Sequence, residues 1–300
     1  MHVLSVSSLK GGVGKTTVAL GLASAAFARG LRTLVVDLDP QCDATTGLGA
    51  LGVFRETITD VLQSPKHNIV HRAIVASPWA EVRSGNIDVI VGSRTVSIFD
   101  TPQPRLRDIW KLEEALSRVE SDYDIVIIDT PPSLNGLTRT AWVCSDRVLL
   151  VSEPSIYSVT ATDRAYTAIE EIRRKLNTRL DHAGIVVNRY QPENREHEFR
   201  VGELEKLFGE NLCDHMIPER ATMQQAQGAA RPIHSWPGES AAEIASIFDN
   251  ILDRIEGSFN SDSRRNRRQE NKEHKANRIM RGQSLDQVLA LETMEQSLIS

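Results

Sequence analysis

Eight consecutive residues, Lys10-Gly11-Gly12-Val13-Gly14-Lys15-Thr16-Thr17, combine the side chains and the backbone freedom that phosphate chemistry needs. They lie between a short apolar run at residues 3–7 and an Ala/Leu-rich stretch that reads as a helix. Glycines admit backbone conformations closed to other residues, so successive N–H groups can converge on one set of anionic oxygens. The helix that follows turns its positive end toward the same anion. In that frame Lys15 neutralises the β- and γ-phosphates of a nucleotide and the Thr16 hydroxyl ligates Mg²⁺. Gly11, Gly12, Val13, Gly14, Lys15, Thr16 and Thr17 make the cradle, and ATP with Mg²⁺ is the expected ligand. The strict pattern GxxxxGK[ST] is not met, because Leu9 stands where its first glycine belongs. A second lysine, Lys10, precedes the glycines instead.

Two acidic segments follow in the order such a site requires. Residues 33–36 are mostly apolar and end in Asp37-Leu38-Asp39-Pro40-Gln41; residues 124–128 lead to Asp129-Thr130-Pro131-Pro132. A carboxylate at the C-terminal edge of a parallel strand faces the crevice where open sheets bind ligands. Four apolar residues before Asp129 make a Walker B pattern, which carries that carboxylate to the Mg²⁺ shell. Each segment alone also fits a strand-ending turn stabilised by Asp and Pro. Together with KGGVGKTT, a deviant Walker A motif, they resemble the ParA/MinD family of P-loop ATPases, from about residue 2 to about residue 256. The resemblance implies that Lys10 reaches across a nucleotide-dependent homodimer to the partner's phosphates. It also implies that Asp39 polarises the attacking water, that Asp37 supports the metal environment, and that Pro131 and Pro132 stiffen a γ-phosphate sensor, switch II. The catalytic set is then Lys10, Lys15 and Asp39, and the metal set Thr16, Asp39 and Asp129. The family's Gly-Asn-Ala-Thr after DPQ is replaced here by Cys42-Asp43-Ala44-Thr45.

The same resemblance locates the base pocket and the output surfaces. Gly184-Ile-Val-Val-Asn188-Arg189 ends a strand where the family contacts adenine, and Ile217-Pro218-Glu219-Arg220 matches a second contact loop. Asn188 offers a donor and an acceptor to a base edge, although an Asn can equally cap a strand end. ParA members bind non-specific DNA through arginines after these two segments; here Arg195, Arg200, Arg220 and Arg231 are available. Asn-Arg-Tyr and Ile-Pro-Glu look closer to MinD, whereas DPQ followed by Ala-Thr-Thr-Gly favours ParA. Residues 264–281 hold eight Lys/Arg against two Glu. Six of these cations on six phosphates would give a log–log salt slope of roughly −5; a solvated tail or a protein-docking element fits the same composition. Residues 284–299 form an acidic amphipathic pattern that anionic lipid would repel, which argues against a membrane anchor.

The elements that must hold these residues can be read from periodicity. Apolar runs at 3–6, 33–36, 87–91, 124–128, 148–151 and 185–187 lack polar alternation, as strands buried on both faces do. Helical spacing is found at 17–29, which stops at Gly30, and at 106–120 and 163–176. Alternating strands and helices predict an α/β fold: a doubly wound, mostly parallel sheet flanked by helices, as in P-loop NTPases, with a basic C-terminal tail. The expected division is an ATPase domain at 1–257 and a linker and tail at 258–300. With a net charge of −5, any basic surface must be local. Cys42, Cys144 and Cys213 have no CxxC spacing and suit a reducing cytoplasm. No HExxH or similar spacing suggests zinc. The reading is a weak, partner-stimulated cytoplasmic ATPase of the ParA type, nucleoid-associated when ATP-bound, with a ParB-like activator. It looks like the short form, since the loop begins at residue 10. The rivals are a MinD-like regulator that ignores DNA and a metabolic synthetase of the same fold.

Overall fold

Uninterrupted runs of Val, Ile and Leu cannot expose one face to water, so they must be covered on both sides. The computed structural model, which describes residues 1–82 and 85–260, shows this arrangement. Eight strands form one sheet: β1 (His2–Ser7), β2 (Thr33–Asp37), β3 (Ile74–Ala76), β4 (Ile87–Ile90), β5 (Ile125–Asp129), β6 (Arg147–Ser152), β7 (Asp181–Tyr190) and β8 (Ile217–Pro218). Their order is β3-β4-β2-β5-β1-β6-β7-β8, and every pair is parallel except β3–β4. Successive residues alternate between two cores. Val3, Leu34, Val126 and Val148 join Trp110 and Trp142 on one face; Leu4, Val35, Ile127 and Leu149 join Phe27 and Phe248 on the other. The chain moves from β1 outward to β2 on one side and later to β6 on the other. The C-terminal end of β1 is thus a topological switch point, where ligands bind in open sheets.

Several expectations shift in detail. The helix expected at 106–120 is two pieces, Leu106–Ile109 and Lys111–Leu116. Trp110 ends one and begins the next, and its ring is buried in the core. The helix expected at 163–176 begins earlier and spans Ile156–Lys175, while β7 extends well beyond 185–187 in both directions. The boundary expected at Gly257 falls inside a helix, Glu239–Asn260. Its end is anchored: Phe259 stacks on His2 with ring centroids 4.1 Å apart, and Ser258 accepts hydrogen bonds from Arg147. Arg29, at the end of the helix Lys15–Ala28, pairs with Asp249, Asp253 and Glu256 of that last helix. The rest of the expected linker, the basic stretch 264–281 and the amphipathic pattern 284–299 lie outside the described residues. Among the described residues no helix is long and apolar enough to cross a membrane.

Candidate nucleotide site

The loop after β1 reaches the helix Lys15–Ala28 through Gly14, which caps that helix at φ 87°, ψ 34°. This left-handed geometry favours glycine. The space around it demands glycine as well, since a Cβ there would lie 2.2 Å from Nδ2 of Asn188. No side chain caps the helix and its first turn carries no acid, so its leading N–H groups remain available to an anion. Gly11 and Gly12 are exposed, and Val13 is buried.

Around this loop the structure brings together most of the residues singled out above. Lys15 is 6% exposed, and the charges of Asp129 and Asp39 act on it. Burial pulls its pKa down, while these two carboxylates oppose the shift. The Thr16 hydroxyl donates to Asp129 Oδ2 at 2.7 Å. Asp129 lies opposite Val6 of β1 and Asp37 of β2, so three strand ends meet at one carboxylate. Burial raises the Asp129 pKa well above the ordinary range; it pushes Asp37 up to about 6, even though Thr45 donates to Asp37 Oδ2 from both its N–H and its hydroxyl at 2.7 Å. Asp39 sits at the rim, its Oδ1 accepting from Gln41 N at 3.0 Å, with its pKa raised by burial.

The remaining oxygen of each inner carboxylate tests the fit of a cation. Asp37 Oδ1 and Asp129 Oδ1 are both buried without a hydrogen-bond partner. Buried carboxyl oxygens are normally satisfied, and an orphan pair on neighbouring strands suits a divalent ion or its water shell. Among the described residues no group of three or more His, Cys, Asp and Glu could hold a metal unaided. An ion here would share its coordination with phosphate, as Mg²⁺ commonly does. Asp129 and the Thr16 hydroxyl are the residues that would hold it, with Asp37 behind them.

Other residues take positions the sequence did not disclose. Asn188 is 4% exposed and lies inside β7, where its Nδ2 donates to Val13 O at 2.8 Å and braces the loop. Pro218 of β8 pairs with Tyr190, and the Glu219 N–H donates to Tyr190 O, so the second expected base-contact segment lies beside the strand that carries Asn188. The Gln227 amide donates to the Thr17 hydroxyl at 3.1 Å. Lys10 does not extend into solvent: its ammonium pairs with Glu153 and donates to Ser155 Oγ at 2.9 Å, both just beyond β6. Gln227, Glu153 and Ser155 belong to no motif, and their contacts span many residues of chain. Of the four candidate DNA arginines, Arg195, Arg220 and Arg231 are exposed. Arg200 is clamped between Glu196 at 2.6 Å and Glu203 at 2.7 Å. Cys42 adopts φ 59°, and burial pushes its thiol up to about 11, which disfavours the thiolate.

A glycine loop that opens onto a helix, with a buried lysine and two acidic strand ends behind it, defines a P-loop nucleotide-binding protein. Residues 1–182 match the family model described as an AAA domain. The chain is 31% identical over 237 residues to the chromosome partitioning protein ParA of Caulobacter vibrioides, covering 78% of this chain and 86% of that protein. It is 28% identical over 244 residues to the sporulation initiation inhibitor protein Soj of Bacillus subtilis, covering 81% and 94% respectively. The ATP complex of a Cyanothece McdA shares the fold, with a TM-score of 0.74 at 17% identity, over 85% of this chain and 96% of that one. This chain belongs to the ParA/MinD family of P-loop ATPases.

Proposed function

We propose that the protein is a ParA-type ATPase switch. It binds ATP with Mg²⁺, dimerises in that state, holds DNA without sequence preference and lets go after slow hydrolysis. Such a cycle serves chromosome or plasmid partition, or the positioning of another cargo. The observation that carries this reading is Lys15, buried at the start of an uncapped helix and within range of the charges of Asp129 and Asp39. Likeness to ParA and Soj supports the partition role over the other uses of the fold.

In this reading the loop N–H groups and Lys15 hold the triphosphate, and Thr16 and Asp129 hold Mg²⁺. The metal supplies charge neutralisation at the transferring phosphoryl group. Asp39, at the rim beside Lys15, orients the water that attacks in line with the departing ADP. Positioning of this kind suffices for phosphoryl transfer, which needs no covalent nucleophile. Lys10 leaves Glu153 to reach the partner's phosphates, completing each site in trans. Arg195, Arg220 and Arg231 are the DNA candidates among the described residues.

Sedimentation of Asp39→Ala with ATP, with and without non-specific duplex across a salt series, tests the reading. This variant should bind ATP, turn over at least about tenfold more slowly than wild type, and accumulate a dimer that co-sediments with DNA. The DNA-bound fraction should fall steeply with salt. Wild-type turnover would remove the role given to Asp39. An ATP-dependent dimer that ignores DNA at every salt concentration would move the assignment to a MinD-like regulator.

A further inference from the structure

Residues 92–101 bridge switch I (residues 37–45) and switch II (residues 129–137), and no nucleotide-binding motif falls within them. At one end the Gly92 N–H donates to the Thr45 hydroxyl at 2.8 Å, and that hydroxyl is the one that donates to Asp37. Thr95 pairs its hydroxyl with Thr59 at 2.9 Å and with Ser93 at 2.8 Å. The charge of Arg94 acts on the Cys42 thiol. A 3₁₀ helix, Arg94–Phe99, then carries the chain to Asp100.

Asp100 meets switch II with both carboxylate oxygens. Oδ1 accepts from Leu137 N at 3.2 Å; Oδ2 accepts from Ser133 Oγ at 3.2 Å and from Asn135 Nδ2 at 3.4 Å. The Gly136 N–H donates to Thr101 O at 2.9 Å, and a Cβ on Gly136 would lie 2.2 Å from Phe99 O. The two backbones are therefore in direct contact, and no larger residue fits at position 136. Asn135, at the cap position of the helix Gly136–Cys144, makes no capping bond of its own. Asp100 supplies the cap from 37 residues away. Capping alone needs one N–H, yet Ser133 and Asn135 add two side-chain donors from the turn before the helix. The same carboxylate is near enough to Asp39 for its charge to act there.

We propose that Asp100 is a positioning residue for hydrolysis, holding the switch II turn at 133–137 in register and tying it through residues 92–100 to the Thr45–Asp37 support of switch I. This inference rests on the ATPase reading above. A shift at either switch is passed to the other along a short, hydrogen-bonded piece of chain, so the two respond together.

The test compares the full chain with Asp100→Ala and Asp100→Asn by phosphate release, by the Kd for a fluorescent ATP analogue and by amide hydrogen exchange. Asp100→Ala should lower kcat about tenfold, with KM and the analogue Kd within about twofold of wild type. Asp100→Asn, whose amide oxygen still accepts from Leu137 N but whose NH2 cannot accept from Ser133 or Asn135, should recover only part of that rate. Exchange should rise at 133–137 and at 44–46 in Asp100→Ala, even without nucleotide. An unchanged kcat in Asp100→Ala overturns the inference and leaves a simple helix cap. Equal losses of rate and affinity, or an Asp100→Asn as slow as Asp100→Ala, overturn it too. If the wild type shows no turnover, the ATPase reading fails by itself. Exchange still judges the tether: protection unchanged at both segments sinks it.

Discussion

At the scale of single residues, Asn188 carries the most testable chemistry. Its amide is committed to Val13 O, and Gly14 has room only because it lacks a side chain on that side. Asn188→Ala frees a buried carbonyl and loosens the loop, so ATP and GTP should lose affinity alike, by about tenfold, or about 1.4 kcal/mol. Calorimetric titration with both nucleotides checks this, and a loss confined to ATP would assign Asn188 to the base instead. The sequence identified this residue by its chemistry but not by its partner, which lies 175 residues away. Lys15, Thr16, Asp39 and Asp129 were legible because each sits at a fixed offset from a loop or a strand end. Asp100, Glu153 and Gln227 were not, because ordinary polar residues in ordinary loops gain meaning only when the fold closes.

Among the elements, buried parallel strands were the easiest to read, since a run of four apolar residues has few other uses. The antiparallel edge strand β3 and the two-residue β8 went unseen, being too short to impose a period. Helical spacing at 106–120 is real, but Trp110 at φ −90°, ψ −5° breaks it into two pieces. The pairing of β7 with the helix Ile156–Lys175 carries a pH signature. His182 stacks on Tyr166 with centroids 3.8 Å apart, and its Nε2 lies 2.7 Å from Glu170 Oε1. Burial holds its pKa below the ordinary value, although Glu170 pulls the other way. In the unfolded chain the imidazole takes a proton near about pH 6.5. The folded ring resists it, so this contribution is whole above that pH and is lost as the pH falls toward the folded value. His182→Phe keeps a ring against Tyr166 and cannot titrate. Between about pH 7.5 and about pH 5.5 the wild type should therefore lose more of its melting temperature than the variant. Equal losses would show that His182 charges freely in the fold.

For the molecule as a whole, the proposed dimer and the filling of the site can both be tested through contacts within one chain. Lys10 is engaged by Glu153 and Ser155 before any partner arrives. A twofold dimer that uses both lysines must break two such pairs, each contributing about 1 kcal/mol. Glu153→Ala should therefore lower the protein concentration at half-dimerisation in ATP by roughly 30-fold. Analytical ultracentrifugation gives that midpoint directly, and an unmoved midpoint would show that Lys10 is not held back by Glu153. The orphaned oxygens of Asp37 and Asp129 have a consequence of another kind. Whatever satisfies them favours the folded chain alone, because the unfolded chain has no such pair to satisfy. Resistance to proteolysis should then rise with how full the site is, wherever opening is fast relative to cleavage.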